Sequence, residues 1–241
     1  MPLPENIRDW YRLSENLTTF YASIPHLDVK TLAKTMKADL LVPPRGRLRT
    51  RVELEREARA QPPPIETLRM ASPREQTLQW MFMHRGYLAE TSDKILTREV
   101  PTCCAGETRH GAADLLAYDN VNRRPIIVEL KRASAGDPLT RCVLEVLWHW
   151  TFTVQHIAEF QNQLAEFGCE PVSFIPTLAI AAPESFFRDG RERSRRRGGD
   201  EFKTGLSWIV GLCEAEIVKI DLYAIENDWQ AIGPEFRIRK L

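Results

Sequence analysis

The sequence lacks three things: a cysteine pair at metal-ribbon spacing, a long apolar run, and a net charge. Its five cysteines, Cys103, Cys104, Cys142, Cys169 and Cys213, contain no Cys-x-x-Cys, so a zinc ribbon is not expected. Adjacent Cys103 and Cys104, with His110 nearby, read as an irregular turn, because neighbouring cysteines chelate one ion poorly. No stretch reaches the roughly 18 apolar residues that a membrane helix needs. The first ten residues, Met1–Trp10, carry acidic side chains where a secretion signal would be apolar. With an odd cysteine count, this predicts a cytoplasmic protein with reduced thiols. The 33 basic residues cancel 33 acidic ones, so any contact with nucleic acid must come from a local basic patch.

What the chain does contain is centred on Gly111–Lys131. Ala113, Leu115 and Ala117 alternate with Asp114, Leu116 and Tyr118; Ile126, Val128 and Leu130 alternate with Ile127, Glu129 and Lys131. A period of two predicts two strands. Asp119, Asn120 and Asn122 between them predict an antiparallel hairpin. Glu129 and Lys131 then share a face, and pairing brings Asp114 beside them. Two carboxylates and an ammonium in an apolar sheet are costly to bury unless they pair or bind an ion. Oxygen ligands suit Mg²⁺ or Mn²⁺.

The remaining elements follow from periodicity and caps. Residues 1–65 read as a helical N-terminal appendage, with one helix over Pro4–Ser23 and a second over Val29–Leu41 capped by Asp28. Four arginines in Arg45–Arg51 face Glu53, Glu55 and Glu57 and read as a self-paired linker. Gln61-Pro-Pro-Pro64 is the domain boundary, and residues 66–241 form the main domain. There, Ser72-Pro-Arg-Glu75 is a capping box opening a helix to about His84. Strand one is Lys94–Pro101. After the hairpin, one helix runs from Asp137 to Phe167, where Gly168 stops it. Strand four (Ser173–Ala181), a helix (Phe202–Cys213), a strand (Glu216–Glu226) and a C-terminal edge strand complete the order. Pro183–Asp200 reads as a loop, and its Arg191, Arg193, Arg195, Arg196 and Arg197 form the strongest basic patch, a candidate phosphate contact. A lone His149 on the long helix reads as a structural or surface histidine rather than a general base.

Asp114, then Glu129-Leu-Lys131 on the next strand, 129 − 114 = 15 positions on, resembles the signature of the PD-(D/E)xK nuclease superfamily. Ala113 stands where a proline often precedes the first acid. The glutamine-x-x-x-tyrosine of RecB-like members is not reproduced, since Gln155 is followed four residues later by Glu159. The resemblance covers about residues 66–226. It implies an α/β restriction-endonuclease-like core, a mixed central sheet flanked by helices in the order αβββαβαβ. It implies a Mg²⁺- or Mn²⁺-dependent nuclease acting on phosphodiester bonds, with DNA preferred as substrate, in defence, restriction or repair. Asp114 and Glu129 would hold the metal, with the Leu130 carbonyl as a third ligand. Lys131 would orient the attacking water, and Glu75 would complete the shell, with Glu90 and Glu99 as rivals for that place. The alternative is a catalytically inactive nuclease-fold subunit that binds nucleic acid or a protein partner. Residues 1–65 could supply that partner surface, and a homodimer suits the cutting of two strands.

Overall fold

Alternating apolar residues build a six-stranded mixed sheet whose spatial order follows the chain, β1-β2-β3-β4-β5-β6. The computed structural model describes residues 7–14, 16–35, 75–90, 92–102, 111–132, 137–196, 201–226 and 236–241. Strands β1 (Asp93–Pro101), β2 (Ala112–Asp119) and β3 (Arg124–Leu130) form an antiparallel meander. β4 (Thr177–Pro183) and β5 (Ile220–Glu226) run parallel to β3, and β6 (Arg237–Lys240) closes the edge antiparallel to β5. The β2–β3 turn is held by Asp119, whose Oδ1 accepts from the backbone N–H groups of Val121 and Asn122, both at 2.9 Å. That turn sets the register Leu115↔Val128 and Leu116↔Ile127, which places Asp114 across from Glu129.

The sheet has two buried faces. On one, Leu116, Ile127, Leu178, Ile180 and Leu222 pack against α5 (Leu139–Gln155) and α8 (Glu201–Glu214). On the other, Leu115, Val128, Ala179 and Tyr223 pack against Leu78, Met81 and Phe82 of α4 (Glu75–Arg85). α5 and α6 (Ile157–Glu166) form the crossover that parallel β3 and β4 require, and α7 (Glu184–Arg196) and α8 do the same for β4 and β5.

The N-terminal segment is tied to this core. α1 (Ile7–Leu13), α2 (Leu17–Ser23) and α3 (Val29–Thr35) place Ile7, Trp10, Phe20, Val29, Leu32 and Ala33 in the same buried cluster as Val143, Leu147 and Trp208. Side chains such as Phe20, each contributing about 1.5–3 kcal/mol by burial, make these helices a wall of the domain. The boundary expected at Gln61–Pro64, the Arg45–Arg51 run, the Ser72 cap, Cys103, Cys104, His110 and Arg197 lie outside the described residues.

Three expected elements differ. The helix over Pro4–Ser23 is two helices, because Asn16 caps α2 by accepting from the Thr19 N–H at 3.2 Å. The helix over Asp137–Phe167 breaks at His156, just after Thr151 and Thr153 turn their hydroxyls back onto the Leu147 and His149 carbonyls. Such back-bonding bends helices. The expected loop at Pro183–Asp200 is largely helical: Phe186 and Phe187 anchor α7 in the core, and its arginines and glutamates are good helix formers. Among the described residues no helix is long and apolar enough to cross a membrane.

Candidate metal centre

By the alternation that puts Leu116 and Ile127 beneath α5, the side chains of Asp114, Glu129 and Lys131 lie on the α5 face of the sheet. All three are buried. α5 crosses this face and contributes Glu145 and His149, four positions apart and so one above the other on the helix. Lys131 Nζ stands 2.7 Å from Glu129 Oε1 and 2.7 Å from Glu145 Oε2. Glu129 Oε2 stands 3.3 Å from His149 Nε2.

Further groups hold these in place. From α1, the Tyr11 hydroxyl donates to Glu145 Oε1 at 2.7 Å. From α4, Gln79 Nε2 donates to Asp114 Oδ1 at 2.6 Å, while the Leu130 backbone N–H donates to Asp114 Oδ2 at 2.7 Å. Thr102, just beyond β1, meets His149 Nδ1 through its hydroxyl at 2.7 Å, and its carbonyl accepts from Trp148 Nε1 at 3.1 Å. Gly111 approaches so closely that an added Cβ would lie 3.0 Å from the Thr102 carbonyl oxygen and 3.2 Å from Trp148 Nε1. Any larger residue there presses on the strut that carries His149.

One ammonium serves three carboxylates. Burial, and next the charge of Glu129, raises Asp114 well above the usual carboxylate range. Burial, and next the charge of Glu145, raises Glu129. Burial also opposes ionisation of Glu145, but Lys131 leads the interactions that outweigh it and hold this carboxylate low. Burial disfavours the Lys131 ammonium, yet Glu129 and Glu145 more than offset it and raise its pKa. Burial lowers His149 to about 4, leaving a neutral imidazole at neutral pH.

Three buried atoms in this network have no hydrogen-bond partner: Gln79 Oε1, and the facing pair Glu129 Oε2 and His149 Nε2, 3.3 Å apart. Such atoms are costly unless a proton or a cation joins them. Glu129, Glu145 and His149 offer ligand atoms within 4.8 Å of one another, a group that can hold a metal ion.

The expected site residues therefore fall into two sets. Asp114, Glu129 and Lys131 come together, and Leu130 joins through its N–H. Glu75 opens α4, one turn before Gln79, and its charge reaches Glu129. Glu90 is set beside Asp93 at the far end of β2 from Asp114, roughly 15 Å along the strand, and so drops out as a rival. Glu99 has a positive φ of 50° at a point between Arg98↔Leu115 and Val100↔Ala113, and it pairs with Arg98 Nη1 at 3.2 Å. Arg191 is exposed with its guanidinium 5.4 Å from the Phe202 ring centre, and Arg193, Arg195 and Arg196 follow on α7.

Sequence reasoning missed Glu145, Gln79, Thr102 and Tyr11 as site components; of its two readings of His149, structural or surface, the surface one is excluded, since His149 is buried against Glu129. A signal existed in the pair Glu145 and His149, four apart on the helix that follows Glu-x-Lys. Tyr11 carried none. No family model, curated protein or solved structure matches the chain.

Proposed function

We propose that the chain is a divalent-metal-dependent nuclease that hydrolyses phosphodiester bonds, with DNA as substrate and a core of the restriction-endonuclease-like type. The observation that carries this reading is the joint presentation of Asp114, Glu129 and Lys131 on one face of a hairpin, beneath a helix that adds Glu145 and His149. The element order, a helix, a three-strand meander, a crossover helix and a parallel strand, supports it as well.

Glu129, Glu145 and His149 would hold the ion, Mg²⁺ or Mn²⁺. When bound, it supplies Lewis acidity to offset charge on a phosphate oxygen. Lys131, already aimed between the two glutamates, orients the attacking water and balances charge that develops on the phosphate. Asp114 ties the end of β3 to β2 through the Leu130 N–H and is itself held by Gln79. The exposed Arg191 on α7 contacts backbone phosphates.

Purified Asp114→Ala and Lys131→Ala variants, assayed beside the parent on plasmid, linear DNA and RNA with Mg²⁺, Mn²⁺ or EDTA, test this. The parent should cut DNA with an ion and fail in EDTA, and both variants should fail. Undiminished cutting by either variant removes that residue from its role, and an inert parent removes the nuclease reading.

One observation favours a second reading. Lys131 is buried and engaged by both glutamates, an arrangement suited to a non-catalytic nuclease-fold subunit that binds nucleic acid or a protein partner. That subunit would bind DNA equally well with or without an ion and would cut nothing.

A further inference from the structure

The ligand set around the unpartnered pair is not the all-oxygen set that the strand motif alone implies. We infer that Glu129, Glu145 and His149 form a mixed carboxylate–imidazole site that selects a first-row transition-metal dication over Mg²⁺. The inference concerns ion binding and stands whether or not the chain cuts nucleic acid.

The first support is geometric. Glu129 Oε2 and His149 Nε2 are buried, 3.3 Å apart and not hydrogen-bonded to each other or to anything else. With metal bonds of about 2.1 Å, that separation is one edge of a coordination shell at an angle of about 105°. The second is the way each ligand is held. His149 Nδ1 is engaged by the Thr102 hydroxyl, so Nε2 is the nitrogen left facing the carboxylate. An outer partner on the far ring nitrogen is the usual support of a ligating histidine. Glu145 is fixed by Tyr11 at one oxygen and Lys131 at the other, and each oxygen keeps a second lone pair. Lys131 touches Glu129 at Oε1, so an ion at Oε2 leaves that contact in place.

The third support is ligand chemistry. Mg²⁺ demands oxygen ligands and retains several waters, whereas imidazole nitrogen suits Fe²⁺, Ni²⁺ and Zn²⁺, and Mn²⁺, the member of the series nearest Mg²⁺ in ligand preference, is the most stringent probe of the difference. A buried histidine brought to an acidic strand by its own helix therefore shifts preference toward the transition series.

The test is calorimetric titration of EDTA-stripped full-length protein with Mn²⁺ and, separately, with Mg²⁺, for the parent and His149→Ala. Electron spin-echo spectra of the Mn²⁺-loaded parent accompany it. One Mn²⁺ per chain is expected. The Mn²⁺-to-Mg²⁺ affinity ratio should fall about tenfold or more in His149→Ala. The parent spectrum should show modulation from a directly coordinated nitrogen. A ratio unchanged by His149→Ala overturns the inference. So does a parent spectrum without coordinated nitrogen, and that readout decides the matter even if His149→Ala does not fold. Neither measurement involves cleavage, so a failed nuclease assay and a failed ion assay are told apart.

Discussion

The Tyr11 hydroxyl and Glu145 Oε1 are 2.7 Å apart in space and 134 positions apart in the chain. This bond makes the N-terminal helices part of the candidate centre. Burial, and next the charge of Glu145, raises the Tyr11 pKa, so the phenol stays protonated and keeps donating. Tyr11→Phe leaves a buried carboxylate oxygen one partner short. The expected loss is about 1–3 kcal/mol in denaturant unfolding. A loss under about 0.5 kcal/mol would mean that the contact is incidental.

Among the described residues, Lys131 is the one lysine or arginine that forms ion pairs with Glu129 and Glu145. Lys131→Met therefore strands the buried Glu145 carboxylate and removes a donor from Glu129. Breaking a buried pair in this way costs about 3–5 kcal/mol. In a chain of this size that lowers the melting temperature by roughly 10 °C. Added Mn²⁺ should recover part of the loss, since it returns positive charge to the same carboxylates. A melting temperature within about 2 °C of the parent contradicts the assignment.

Stability of the metal-free protein should fall as pH rises from 6.5 to 8. His149 titrates at about 4 in the fold against an ordinary value of 6.5, so its contribution is present above 6.5 and is lost as pH falls toward 4. Glu129 has the opposite sign. Raised from 4.5 to about 8, it holds a proton in the fold that the unfolded chain has released, so stability is lost as pH climbs through that window. Between 4.5 and 6.5 the two offset each other; above 6.5 Glu129 acts without that offset. The expected decline from pH 6.5 to 8 is about 2 kcal/mol, removed by saturating Mn²⁺ because an ion displaces the proton. Urea unfolding at the two pH values, with EDTA or with Mn²⁺, measures it. Stability that is flat or rising in EDTA contradicts it.

Gly111→Ala should weaken ion binding without removing a ligand. The added methyl would meet the Thr102 carbonyl oxygen at 3.0 Å and the Thr102 hydroxyl at 3.2 Å, and Thr102 is the partner of His149 Nδ1. Loss of such outer support costs about tenfold or more in affinity. The same calorimetric titration checks it, and an unchanged Mn²⁺ affinity shows that Thr102 does not set the imidazole's position.

Local pattern made much of the sheet legible. The alternation through Gly111–Lys131 identified β2, β3 and the turn, because a half-buried hairpin writes its two faces into a period of two. The stripe from Val143 to Val154 identified α5, and the stop at Gly168 is matched by its positive φ of 70°. Charge runs were less informative. Glu184–Arg196 resembles a solvated loop in composition, yet Phe186 and Phe187 hold it as a helix. Thr151 and Thr153 likewise turn their hydroxyls onto carbonyls of α5 just before it breaks at His156, bonds that hydrophobic periodicity does not register.

By itself the sequence determined which residues of each strand share a face, and so that Asp114, Glu129 and Lys131 would stand together. Those relations are set by the geometry of the backbone over a few residues. Only the tertiary structure decided that Glu145 and His149 face Glu129, that Gln79 and Thr102 brace the site, and that Tyr11 closes it. Such contacts depend on how α5, α4 and α1 dock and rotate on the sheet, and that docking is fixed by the packing of the whole core.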